Sequence, residues 1–247
     1  MLKIDNFRIN TESREELAKL ALSLIKRSKK TNIVQTINAH SFVAAQEDLF
    51  FREALENADI LLPDGASISI ATCLFNIKPR LHHRVPGPDF FMELTGLANK
   101  ERLTYFFMGS SEEVLGMIRN RMKREYPNIK VHTLSPPIYP FEKKVNCDII
   151  KKINKAKPDV LWVGMTAPKQ EKWTYENRLK LKVPLVASIG AAFDFYAGTR
   201  KRAPLLFQRL NLEWLYRFIL EPRRMWKRYI NSNVLFAFYM VLRKVRR

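Results

Sequence analysis

The chain has 247 residues, 47% of them hydrophobic, and a formal net charge of +19, which suits one large α/β domain or a domain with an appendage. Residues 201–247 hold 12 Lys/Arg and 2 Asp/Glu, so +10 of that excess sits in the last 47 positions and points to a polyanionic partner: nucleic acid, an anionic membrane or a phosphorylated substrate. Two distant cysteines, Cys73 and Cys147, exclude a zinc or disulfide framework, the N-terminus lacks a secretory apolar region, and the longest apolar run, Val234–Leu242, is nine residues where a bilayer span takes roughly 20.

In chain order, short apolar runs alternate with helix-patterned segments. Strands are expected at Asn32–Ile37, Ile60–Leu62, Leu103–Met108, Ile129–Leu134, Val160–Val163 and Leu185–Ile189. Helices are expected at Arg14–Arg27, Gln46–Asn57, Phe90–Asn99, Glu112–Glu125, Glu142–Ala156 and Gln170–Leu181. This rhythm predicts an α/β fold with a Rossmann-like parallel sheet flanked by helices on both faces. The sheet pattern stops near Pro204. Leu205–Leu220 then reads as a helix, interrupted by Pro222, and Arg224–Arg246 reads as a second one that mixes aromatics with cations. That mixture suggests residues 225–247 lie on a membrane surface; packing of the apolar side on the domain is the plainer alternative. The expected division is therefore a domain over 1–204 and a basic helical appendage over 205–247.

Glycines close four of the strands and mark turns into helices: Gly65, Gly109, Gly164 and Gly190. Parallel strands would bring those turns to one edge, where open α/β sheets bind ligands. The most informative turn is Gly164–Trp173, which gathers Lys169, Gln170 and Glu171 behind Pro168; a bare helix start needs no such set. Asp64, beside Gly65, is a candidate general base or a helix cap. Thr36 and Asn38 end another strand and offer a hydroxyl and an amide. Arg84, in a rigid Val-Pro-Gly turn, could grip a diphosphate. After Gly190, Phe193 could stack a base or sugar and Asp194 could accept hydrogen bonds from a nucleoside.

Several absences narrow the chemistry. There is no G-x-G-x-x-G and no Walker A, so a dinucleotide or P-loop cofactor is not expected. His82 and His83 are adjacent, and His40 and His132 have no ligand-spaced partner, so no metal site is expected. There is no Asp-x-Asp to hold a divalent metal against a diphosphate. Cations such as Arg200, Lys201, Arg202, Arg209, Arg217, Arg223 and Arg224 would then carry that role.

Taken together, Thr36–Ala39, Ala58–Gly65, Arg84–Gly87, Gly109-Ser110, Ala167–Trp173, Gly190–Gly198, Lys201–Pro204 and Leu212–Arg217 resemble the WecG/TagA/CpsF family of bacterial glycosyltransferases. The matching order runs through most of the chain. The resemblance implies transfer of a hexose, often of N-acetylmannosamine type, from a UDP-sugar to a polyprenyl-diphosphate-linked saccharide. It implies an inverting, metal-independent reaction at the cytoplasmic face of the bacterial membrane, with Asp64 as base. Thr36, Asn38 and Gln170 match pocket positions, Asp194 a nucleotide contact, and Arg84, Arg217 and Arg224 positions near the diphosphate. Gly109 and Lys169 fall within the matched stretches and count as candidate substrate contacts. Thr166 and the Thr199-Arg200 pair depart from the pattern and bear on sugar choice. A homo-oligomer is compatible with this picture. The competing class, a basic nucleic-acid-binding α/β protein, rests on pI ≈ 10.1 and the tail; it leaves Asp64 and Gln170 unexplained, and no nucleic-acid partner is expected. A membrane scaffold without catalysis is a third class, disfavoured by the full set of polar candidates.

Overall fold

The computed structural model describes the backbone of residues 1–245, and the side chains in that range except those at 209, 217, 224–231 and 243–245. It opens with an antiparallel hairpin, β1 (Leu2–Ile4) and β2 (Phe7–Ile9), that the sequence reading missed. There follow α1 (Arg14–Arg27), β3 (Asn32–Ile37), α2 (Ala39–Glu47), α3 (Leu49–Glu56), β4 (Ile60–Pro63), α4 (Ala66–Leu74) and α5 (Gly87–Lys100). The chain continues through β5 (Thr104–Gly109), α6 (Glu112–Glu125), β6 (Lys130–Leu134), α7 (Lys143–Ala156), β7 (Val160–Gly164), α8 (Lys169–Asn177) and β8 (Leu185–Ser188). It ends in α9 (Ala192–Ala197), α10 (Leu205–Arg209), α11 (Glu213–Leu220) and α12 (Pro222–Val245).

Strands β3 to β8 form one sheet in the order β4-β3-β8-β7-β5-β6, and every neighbouring pair is parallel. All six expected strands are present. The near-continuous burial of all but the edge strand β6 is what a sheet covered on both faces demands. One face packs on α1, α5, α6 and α9 around Trp162, whose ring lies 5.0 Å from Phe91 and 5.5 Å from Tyr105. The other face packs on the hairpin, α2, α3, α4 and α12 at one end and on α7 and α8 at the other.

Three expectations about helices are corrected. The single helix over Gln46–Asn57 is two, because Asp48 ends α2 and its carboxylate accepts the Phe51 N–H at 3.0 Å to start α3. The helix over Leu205–Leu220 is also two, with Asn211 at φ 61 between α10 and α11. Pro222 begins α12, the place where a missing N–H breaks no helical bond. The tail is not detached from the domain. Phe236 and Met240 of α12 are buried against α2, with the Phe236 ring 5.2 Å from Phe42, and each such side chain contributes roughly 1.5–3 kcal/mol.

Candidate functional site

Because all six strands run the same way, their carboxyl ends open on one edge. The switch point lies between β3 and β8. From β3 the chain enters α2 on one face of the sheet; from β8 it enters α9 on the other. Four local contacts gather the candidate residues around this point. A Cβ placed on Gly65 would lie 3.7 Å from the Asn38 Cβ, so the ends of β4 and β3 are in contact. The Val85 N–H donates to the Pro63 carbonyl at 2.7 Å, which brings the Arg84 turn beside Asp64. A Cβ on Gly87 would lie 3.4 Å from the Ile189 carbonyl, and one on Gly190 3.4 Å from Gln170 Nε2. From β4 to the start of α8 the crevice spans three strand spacings, about 15 Å.

Asp64 follows β4, half-buried, with its N–H bonded to the Ile37 carbonyl at 2.8 Å. It is not the cap of α4. That position is Gly65, at φ +90. A left-handed φ is where glycine is the favoured residue, so the Asp-Gly pair turns the chain sharply between β4 and α4. Asn38, by contrast, does cap a helix: its Oδ1 accepts the Ser41 N–H at 3.0 Å, and Ser41 Oγ accepts the Asn38 N–H at 2.7 Å. Its amide is thereby held rigidly next to Gly65. Thr36 is half-buried on β3, in register with Leu62.

Gln170 and Glu171 are 3% and 2% exposed. The Gln170 Oε1 accepts the Met165 N–H at 3.2 Å, which fixes the amide orientation, and its Nε2 donates to Glu171 Oε1 at 2.8 Å. Glu171 Oε2 and Gln35 Oε1 are both buried without a hydrogen-bond partner, while Gln35 Nε2 donates to the Glu171 carbonyl at 3.4 Å. Burial pushes the Glu171 carboxyl up to about 7, against the opposing hydrogen bonds from Gln170 and its own backbone. Helical spacing carried the signal: Gln170, Trp173, Thr174 and Asn177 form the inward stripe of α8. Lys169 is exposed at the first position of α8, beside the crevice.

Several expected ligand contacts have other partners. Phe193 is a core residue rather than a stacking platform: its ring packs 5.4 Å from Phe107 and fills the space over Gly164, where a Cβ would lie 2.4 Å from the ring. Gly109 is likewise a packing glycine. It has φ +114 and pairs with Gly164 in the sheet, and a Cβ there would sit 2.4 Å from the Gly164 carbonyl. Asp194, in the first turn of α9, lies 3.7 Å from Arg200 Nε. Arg84 is already held: Nη1 donates to Glu213 at 2.5 Å and Nη2 to the Gln208 carbonyl at 2.6 Å. Arg202 is not spare either. It bonds Glu213 at 2.9 Å and makes a two-pronged pair with Asp89. Burial alone would raise the Glu213 carboxyl, but Arg202 and Arg84 outweigh it and hold the group below its ordinary value. This Asp89–Arg202–Glu213–Arg84 chain, which the sequence reading missed, fastens α10 and α11 to the rim of the crevice. The Arg217 and Arg224 side chains lie outside the described residues.

Among the described residues, no group of three His, Cys, Asp or Glu side chains could hold a metal ion, and no helix is long and apolar enough to cross a membrane. The family model described as Glycosyl transferase WecG/TagA/CpsF family matches residues 2–247. The chain is 35% identical over 199 residues to the N-acetylglucosaminyldiphosphoundecaprenol N-acetyl-beta-D-mannosaminyltransferase of Bacillus subtilis (strain 168), covering 81% of this chain and 75% of that protein. Proteins of the same name in Bacillus spizizenii and Staphylococcus aureus (strain MRSA252) are 29% and 28% identical, covering 90% and 96% of this chain and 84% and 90% of theirs. The parallel sheet, the strand-end crevice and this whole-chain match lead to one conclusion: the chain belongs to the WecG/TagA/CpsF family of glycosyltransferases.

Proposed function

We propose that the protein transfers an N-acetylmannosamine-type hexose from a UDP-sugar to a polyprenyl-diphosphate-linked saccharide, with inversion and without a metal, on the inner face of the cell membrane in cell-surface polysaccharide or teichoic acid synthesis. The observation that supports this reading is the place of Asp64 at the crevice, between the end of β4 and the Gly65 turn. A carboxylate so placed can accept the proton of an acceptor hydroxyl as that oxygen forms its bond to the anomeric carbon. The bond from the anomeric carbon to the UDP oxygen breaks on the opposite side, and UDP departs with the electron pair. Attack from the face opposite the leaving group inverts the centre.

The remaining residues serve binding and charge. Lys169, at the N-terminus of α8, is positioned to meet the diphosphate together with the helix dipole. Gln170 presents an amide whose orientation is fixed by Met165 and Glu171. Asn38 and Thr36 border the acceptor side, and Asp194 the nucleoside side. Arg84 acts by holding α10 and α11 at the rim, and the leaving-group role proposed for Arg217 and Arg224 rests on the family resemblance. The relatives' names support the sugar and the lipid-linked acceptor.

A donor panel tests the reading. Purified protein is supplied with a polyprenyl-diphosphate N-acetylglucosamine acceptor and UDP-sugars that include UDP-N-acetylmannosamine. Transfer from a UDP-sugar that survives EDTA is expected. No transfer from any UDP-sugar, with an oligonucleotide rather than UDP raising the unfolding temperature, would favour a nucleic-acid-binding function. Turnover lost in EDTA and restored by manganese or magnesium would refute the metal-independent part.

A further inference from the structure

Helix α4 begins at the crevice and carries an apolar stripe that faces water. Its nine residues contain no charge, and Ile68, Ala71 and Thr72 form the buried side. The outer side is not polar, as a surface helix would be: Ile70 is 54% and Leu74 71% exposed. Ser67, Ile70 and Leu74 recur three and four positions apart, so they share one stripe. Ser67 Oγ hydrogen-bonds Asn233 Oδ1 of α12 at 3.2 Å, which lays this stripe alongside that helix. The inward residues of α12 are Ser232, Phe236 and Met240, with Ser232 Oγ 2.9 Å from His40 Nδ1. Its outward neighbours Val234 and Phe238 are 62% and 56% exposed. The two helices meet at Ser67 of α4, three residues after Asp64, and Asn233 of α12, and each exposes apolar side chains; exposed apolar patches of this kind mark interaction sites.

Charge identifies the partner. No Asp or Glu occurs between Gly65 and Pro88, or anywhere in α12. A chain with 24 Asp and Glu in 247 residues would place about five in these two stretches together. Lys78 and Arg80, in the segment after α4, are exposed. Apolar side chains bordered by cations, with carboxylates excluded, are the composition of a surface that sits in an anionic lipid interface. We propose that α4, the segment 75–83 and the outward side of α12 form one membrane-docking surface: Ile70 and Leu74 enter the bilayer, Lys78 and Arg80 meet headgroup phosphates, and the mouth of the crevice is laid against the lipid. The inference rests on the reading of a lipid-linked acceptor and deepens it, because it places part of the docking surface in the body of the protein, ahead of the tail.

The two exposed native cysteines supply the test. In full-length protein carrying Cys147→Ser, a polarity-sensitive dye reports from Cys73, next to Leu74; with Cys73→Ser it reports from α7. Phosphatidylglycerol vesicles should move the Cys73 dye into apolar surroundings and leave the Cys147 dye unchanged. Ile70→Ser with Leu74→Ser should lower vesicle partitioning at high salt by about tenfold or more, with the urea midpoint retained. Lys78→Gln with Arg80→Gln should lower it several-fold on phosphatidylglycerol at low salt only. Protein that sediments with vesicles while the Cys73 dye stays aqueous overturns this surface and leaves the lipid-linked acceptor standing. A Cys73 dye that responds to protein concentration without vesicles assigns the patch to a second copy and overturns it too. No sedimentation at all overturns both readings.

Discussion

Replacing Glu171 by Gln tests the floor of the crevice. In the folded protein the carboxyl is buried beside the Gln170 amide, and its proton leaves near pH 7 instead of 4.5. At about 1.4 kcal/mol per pH unit, its ionisation therefore weakens folding by about 3 kcal/mol. The sign follows from proton counts. Below pH 4.5 the group is neutral both folded and unfolded, so it adds no pH dependence. Between pH 4.5 and 7 the unfolded chain releases the proton while the folded chain keeps it, and stability falls as pH rises. Above pH 7 the loss is complete. Glu171→Gln keeps an acceptor for Gln170 Nε2 and has no proton to release. The variant should match the wild type near pH 4.5 and exceed it by about 3 kcal/mol at pH 8. Urea midpoints at pH 5, 6, 7 and 8 and constant ionic strength measure this. Parallel pH profiles for the two proteins would show that Glu171 is ionised in the fold at neutral pH and would refute the reasoning.

Three further outcomes follow from packing and charge, each read by chemical or thermal unfolding. Gly109→Ala meets the Gly164 carbonyl and an unfavourable φ, and should destabilise by about 3 kcal/mol or more. Gly116→Ala on α6, where nothing lies within 4 Å, should stabilise by about 0.5–1 kcal/mol. Glu213→Ala leaves Arg84 and Arg202 without their shared carboxylate, and should cost about 3 kcal/mol while lowering transfer, because α10 and α11 lose their hold on the rim. A Glu213→Ala protein of unchanged stability would dismiss the network as surface ornament.

The strands were legible because a parallel sheet buried on both faces leaves continuous apolar runs, and Ile60–Leu62 and Val160–Val163 are such runs. Helices with a cap and one apolar stripe, such as Arg14–Arg27, were legible to the residue. The hairpin was not: Leu2–Ile4 and Phe7–Ile9 are three residues each, too short to show a period. Asp48 was ambiguous because a helical pattern runs through it, and only tertiary packing makes it the end of one helix and the cap of the next. In the site, Asp64-Gly65 reads as a base or a cap from sequence, and only the backbone shows that Gly65 holds the N-cap position of α4. Phe193 and Gly109 looked like ligand contacts because small and aromatic residues at a strand end also build a tight core. The Arg84–Glu213 pair joins positions 129 apart, and no local pattern reports it.

The central claim is that this crevice performs base-assisted glycosyl transfer at Asp64. The most direct measurement is turnover of Asp64→Asn with a UDP-sugar and a soluble short-chain polyprenyl-diphosphate acceptor, alongside UDP affinity and thermal unfolding of the same preparation. The account predicts a folded protein that binds UDP as the wild type does and transfers sugar ~10²–10⁴-fold more slowly, the usual size of a general-base contribution. A folded Asp64→Asn protein with near-normal turnover would contradict it.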